Sequence, residues 1–213
     1  VGGTQLVEEL KSPNGWRRDT AARLIYQKQD RSVVDDLQRL AVGQGQVIGR
    51  IHALWALDGL GALAPETVGL ALASREARVV VQALRLCEPH LASHPELLAK
   101  VNRRQLENPS VRFQWLMSQV RHPGWAEATT AVPLVERAVA VSLSAPCDSW
   151  TRTALIAGCG RHGLLLLSQL VDAASRKADV RFDELREWGG KISETIGRGA
   201  DAREVAGLLD VLD

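Results

Sequence analysis

The sequence predicts an all-α chain, an α-solenoid of about six stacked helical hairpins. Three observations point there. Helix-favouring Leu, Ala, Val, Arg and Glu dominate, while strand formers are sparse, with one Tyr and two Phe. Apolar residues recur at helical spacing in short segments separated by Gly and Pro turns. Finally, an Arg opens every second helix. Arg18, Arg50, Arg78, Arg112 and Arg152 are separated by 32, 28, 34 and 40 residues, and an apolar residue follows each three positions on. Arg181 begins a weaker sixth copy, 29 residues further. A hairpin of about this length cannot bury its own apolar face, so neighbours must stack and share one elongated core.

The elements follow in order. Thr4 to Lys11 reads as a short amphipathic helix, broken by Ser12-Pro13-Asn14-Gly15. Trp16 to Gln27 is the second helix, with Thr20, Ala21, Leu24 and Ile25 at helical spacing. Asp30 caps Ser32 to Val42, and Gly43 and Gly45 end it. Arg50 to Gly61 has almost no polar side, which predicts burial on two faces. Pro65 starts Glu66 to Ala73; Arg78 to Cys87 follows and Pro89 stops it. Pro95 opens Glu96 to Leu106, closed by Asn108-Pro109. Ser110 is placed to cap Val111 to Val120. Trp125 to Leu143 is a longer stretch that Pro133 divides or restarts. Asp148 or Ser149 caps Trp150 to Cys159, and Leu164 to Ala174, Val180 to Ile196 and a helix from Asp201 to Leu212 complete the chain.

Composition narrows the function classes. A net charge of +1, from 26 basic and 25 acidic residues, argues against a dominant nucleic-acid surface, which needs clustered basic charge. No run approaches the roughly 20 apolar residues of a membrane span. The chain starts at Val1 without a signal peptide, and residues 1–213 read as a single domain excised from something longer. Cys87, Cys147 and Cys159 form no CxxC pair and read as buried small side chains.

No catalytic constellation emerges. There is no phosphate-binding glycine loop and no nucleophile elbow. Cys87, His90 and His94 lie close together, but a fourth metal ligand is lacking and Pro89 makes their geometry unreadable. Trp16, Trp55, Trp115, Trp150 and Trp188 all fall in second helices, as an aromatic stripe on a groove or as core between repeats; their apolar surroundings favour core. Trp125 follows a Pro-Gly turn and is expected to be partly exposed. The Arg series either forms a ladder for an acidic partner or gives register by pairing with carboxylates and capping carbonyls; register is favoured. Asp58, near Ile51, Leu54 and Trp55, reads as paired or capping rather than catalytic.

The turn-V-R-x-x-apolar start of each second helix and the irregular step resemble HEAT repeats. Two stretches go further. Ser12 to Ala41 with Arg50 to Leu63 carries NGWRRDTA and IHALWALDGL, and Glu107 to Val120 pairs with Asp148 to Gly158. Together they resemble the HEAT-like segment of large exported planctomycete-type proteins, called membrane-bound dehydrogenases or haem-binding CxxCH proteins. That resemblance implies a spacer between a β-propeller and a c-type cytochrome module, in a periplasmic or exported protein. It implies no cofactor in this chain: CxxCH is absent, and Cys159-Gly-Arg-His162 supplies one Cys only. The expected function is therefore a non-catalytic scaffold that holds a protein partner or flanking domains. Arg18, Arg50, Arg78, Arg112, Arg152 and Trp125 are its candidate interaction or register residues. Two rivals remain: a HEAT-like DNA-alkylation-repair glycosylase, disfavoured by the near-neutral charge, and a cytosolic HEAT adaptor.

Overall fold

The structure, a computed structural model, describes residues 2–119, 121–126, 128–143, 148–158, 162–176 and 188–194. These residues are helical throughout apart from turns, and no strand occurs among them. The expected helix from Asp201, the Arg181 copy, Cys147 and Cys159 lie outside the described residues. The chain divides into two compact units, Val1–Val111 and Arg112–Asp213.

Unit 1 contains α1 (Gly3–Glu9), α2 (Gly15–Lys28), α3 (Val34–Val42), α4 (Val47–Gly59), α5 (Pro65–Leu72), α6 (Ala77–Cys87) and α7 (Arg103–Leu106). It ends in the first turn of α8 (Pro109–Gln119). Within this unit the helices form two rows. The hairpins are α1 with α2, α3 with α4 and α5 with α6; α1, α3 and α5 pack successively, as do α2, α4 and α6. Leu6, Leu10, Ile25, Leu37, Leu54 and Leu84 are among the side chains buried where these helices meet.

The helix boundaries have local causes. Asp30 accepts from the Ser32 N–H at 3.0 Å, as its position predicts, and starts the short 3-10 turn Arg31–Val33 that leads into α3. α4 is terminated just beyond its last residue by Gly61, whose φ of 59° is left-handed. The Ala62 N–H returns to the Leu57 carbonyl at 2.8 Å, which satisfies an orphan acceptor of the last turn. Pro65 opens α5 at its first position.

Two boundaries differ from expectation. The stretch expected as one helix, Glu96 to Leu106, is two elements: a 3-10 helix Pro95–Lys100 and the single turn of α7. Asn102 breaks it by forming a capping box with Gln105. The Gln105 side-chain amide also donates to the carbonyls of Leu72 and Ser74, at 2.7 and 2.8 Å, and so closes the open end of α5. The cap of α8 is Asn108 rather than Ser110. Its Oδ1 accepts from the N–H groups of Ser110 and Val111, with Pro109 as the first helical residue.

Unit 2 continues α8 and adds α9 (Ala128–Ser142), α10 (Ser149–Gly158) and α11 (Gly163–Arg176); residues 188–194 are helical as well. Pro133 neither divides nor starts α9 but lies inside it, forgoing the hydrogen bond its nitrogen would have donated. α9 packs against α10, α11 and the 3-10 turn Pro123–Ala126. Asp148 is the cap of α10, accepting from the Thr151 N–H at 2.7 Å. That bond, first, and the nearby Arg112 charge hold its carboxyl below the usual aspartate range.

Candidate interaction surface

The second helices share one burial pattern. From Val47 to Leu57 and again from Ala77 to Cys87, eleven successive residues repeat the same sequence of buried, half-buried and exposed classes. α8 follows it from Pro109 with two departures, while α10 from Ser149 and α2 from Gly15 repeat its exposed positions. The starts of α2, α4, α6, α8 and α10 are therefore equivalent, separated by 32, 30, 32 and 40 residues.

This alignment sorts the Arg series. Arg18, Arg50, Arg112 and Arg152 occupy one equivalent position, and Val80 occupies it in α6. Arg50 and Arg112 are only 7% and 2% exposed. Arg50 donates from Nε to the Ala41 carbonyl at 3.1 Å, and Arg18 donates to the carbonyls of Ser12 and Pro13 at 2.7 and 3.0 Å. Each ties the second helix of its hairpin to the chain that leads into it. Arg78 stands two residues out of phase: it is exposed, at the position of Trp16, Ile48, Ser110 and Trp150. It carries no ion pair or hydrogen bond among the described residues.

The tryptophans divide as well. Trp115 and Trp188 are buried as expected, at 0% and 3% exposure, and Arg137 stacks on the Trp115 ring at 4.9 Å. Trp16, Trp55 and Trp150 are not core: they are 74%, 43% and 71% exposed. Trp125, expected to be partly exposed, is buried. Its indole N–H is held by the Gln119 carbonyl, and its ring stacks on His162, whose Nε2 lies 2.9 Å from the Trp125 carbonyl oxygen.

α4 runs parallel to α2 and α6, its neighbours in the same row. The Tyr26 ring near the end of α2 lies against Gly59 near the end of α4, where an added methyl would stand 3.0 Å from the ring. The Gln29 amide reaches the Gly59 carbonyl at 3.3 Å, and Arg31 reaches the Gly61 carbonyl at 3.0 Å. Near the other end, His52 of α4 senses Arg18 and Asp19 of α2, and burial pushes its pKa below the usual histidine value. The outward stripe of α2 is Trp16, Asp19, Arg23 and Tyr26; that of α4 is Ile48, Ile51, Trp55 and Asp58, each 32 residues on. Both follow the i, i+3, i+7, i+10 spacing of one helix face. Trp55 is ordered by its indole N–H, which donates to Gln82 Oε1 of α6 at 3.1 Å.

A groove of about 640 Å³ runs beside this pair. Val47 and Ile51 of α4, with Ala77 and Val81 of α6, give it an apolar lining, and Glu76, Arg78, Gln82, Asn108 and Ser110 supply polar groups. The sequence reading reached Arg78 but missed the rest, because they come from three separate helix starts. Only the alignment of those starts brings them together.

Cys87 is fully buried with its thiol donating to the Leu84 carbonyl at 3.0 Å, and burial pushes its pKa up to about 12. His94 instead faces Glu96 at 3.2 Å. No group of three or more His, Cys, Asp or Glu side chains placed to hold a metal occurs among the described residues. None of the described helices is long and apolar enough to cross a membrane. A scan against protein-family models finds no match to this chain. A search of curated proteins finds none either.

Proposed function

We propose that this chain is a non-catalytic HEAT-like scaffold whose working surface is the outward face of α2, α4 and α6. One observation carries the reading. On this face large apolar side chains stand in solvent: Trp16 and Tyr26 of α2, Ile48 and Trp55 of α4. Such side chains cost solvation and contribute nothing comparable to the core, so an exposed group of them marks a recognition surface. Aromatic residues are also the commonest anchors of protein interfaces. The resemblance to the spacer segment of exported redox proteins supplies a context, in which the scaffold positions a partner or its own flanking modules.

The surface is tested by site-specific photocrosslinking in the native host. A photoreactive residue at Tyr26 or Trp55 is expected to give one discrete protein adduct. The same residue at Leu70, an exposed apolar position on α5 in the other row, is expected to give none. Equal labelling from both rows, or none from the α2–α4 face, would sink the reading. The context is checked by reading the gene on either side of this segment for CxxCH and for propeller strands.

A further inference from the structure

The repeat breaks its own rule at α6. In α2, α4, α8 and α10 the equivalent position holds an Arg, but in α6 it holds Val80, which is fully buried. The arginine appears two residues earlier, at Arg78, where it reaches the groove at the starts of α4, α6 and α8. Departures from an otherwise consistent pattern concentrate where function overrides stability. A guanidinium beside Val47, Ile51 and Val81 with no ion pair or hydrogen bond among the described residues contributes nothing evident to packing.

We propose that this groove binds an acidic peptide segment of a partner protein. An apolar side chain of the segment sits on Val47, Ile51 and Val81, and a neighbouring carboxylate pairs with Arg78. The proposal rests on the scaffold reading and names its partner chemistry. The sign of the charge follows from what lines the groove. Arg78 contributes one positive charge and Glu76 one negative charge. The starts of α4 and α6 lack side-chain capping hydrogen bonds, and each uncapped helix start presents about half a positive charge. The balance favours an anion. Gln82 and Asn108 add side-chain amides at the groove walls, suited to a peptide backbone, and Gln82 also fixes Trp55 at the edge. The volume lies in the range of roughly 300–1,000 Å³ of established ligand sites.

The test pans a phage-displayed library of random dodecapeptides on the full chain and measures the affinity of the selected peptides by fluorescence polarisation. The selected sequences are expected to carry Asp or Glu beside Leu, Ile, Val or Phe. Arg78→Glu, at an exposed site that leaves the fold intact by circular dichroism, is expected to weaken them at least tenfold. Glu76→Gln is expected to tighten them about twofold to fivefold, the scale of one exposed charge pair. Failure to select any peptide, selection of basic or uncharged ones, or binding to Arg78→Glu within twofold of the parent would overturn the proposal. So would self-association of the chain that Arg78→Glu abolishes, which would make a second copy the occupant. Acidic peptides lost in Trp16→Ala but retained in Arg78→Glu would move the site to α2, defeating the groove assignment and leaving the scaffold reading intact. The crosslinking experiment decides that reading independently of any peptide.

Discussion

Position 55 is exposed wherever its equivalents occur, and the neighbouring repeats say so in their chemistry: Arg23 in α2, Arg85 in α6 and Met117 in α8 stand where Trp55 stands in α4. The apolarity of α4 hides this phase, because Leu54 and Trp55 lie only 100° apart on the helix and straddle the edge of the buried face. The energetic consequence separates two tryptophans. Trp55→Ala is expected to cost about 1–2 kcal/mol, the share of apolar area that its half-exposed ring withholds from water. Trp115→Ala, at a fully buried ring, is expected to cost about 3–5 kcal/mol. Urea unfolding of both variants checks the order; an equal loss would return Trp55 to the core. Titratable residues give a second residue-scale prediction. Burial lowers the pKa of His52, helped by Arg18 and opposed by Asp19, and burial lowers that of His122. A depressed native pKa means the unfolded chain binds the proton first, so this stability is present above the unperturbed value of 6.5 and declines as pH falls below it. His52→Gln is therefore expected to flatten the fall in urea midpoint between pH 7.5 and 5. An unchanged slope would show that His52 titrates alike in both states.

At the scale of elements, most of the fold was legible, because each helix start is written in short-range chemistry. Asp30, Pro65 and Gly61 sit where their backbone preferences place them. Less legible were the ends set by distant partners. Gln105 looks like an ordinary helical residue until its amide closes the far end of α5, some thirty residues earlier, and nothing local announces that. The groove was illegible for a related reason. Arg78 could be singled out, yet the sequence interval counted it as an ordinary member of the Arg series, and only burial shows that Val80 holds that place. The end of α4 offers a sharp test of local chemistry. Gly61 is left-handed and has open space where a side chain would project, so Gly61→Ala carries backbone strain alone, about 1–2 kcal/mol. Gly59→Ala has an ordinary φ but meets the Tyr26 ring, and its effect is expected to vanish in a Tyr26→Ala background. A double-mutant cycle by thermal unfolding checks both: coupling at position 61, or none at position 59, would contradict these assignments.

The molecule as a whole follows from a simple accounting of faces. No single hairpin in unit 1 covers its own apolar surface, and each is completed by the next: α2 by α4, α4 by α6, α3 by α5. The strongest packing in unit 1 is between such neighbours, and a stack built only of neighbour contacts would have a stability that is a sum of local terms rather than one all-or-none quantity. On the scaffold reading proposed above, a partner bound to one face would stiffen its own hairpins without reorganising distant ones. It also predicts how damage spreads. Leu54 is fully buried in α4, and Leu54→Ala is expected to remove about 2–5 kcal/mol. In native-state hydrogen exchange the loss should appear as faster exchange in α4 itself and in α2, α3 and α6, the helices packed against it. Amides of α9 and α11, in the other unit, should keep their parent rates. Leu155→Ala, fully buried in α10, should give the mirror image, sparing α3 to α6. A single uniform acceleration across both units from either substitution would mean that the chain unfolds as one cooperative body, and the neighbour-to-neighbour account of its stability would have to be abandoned.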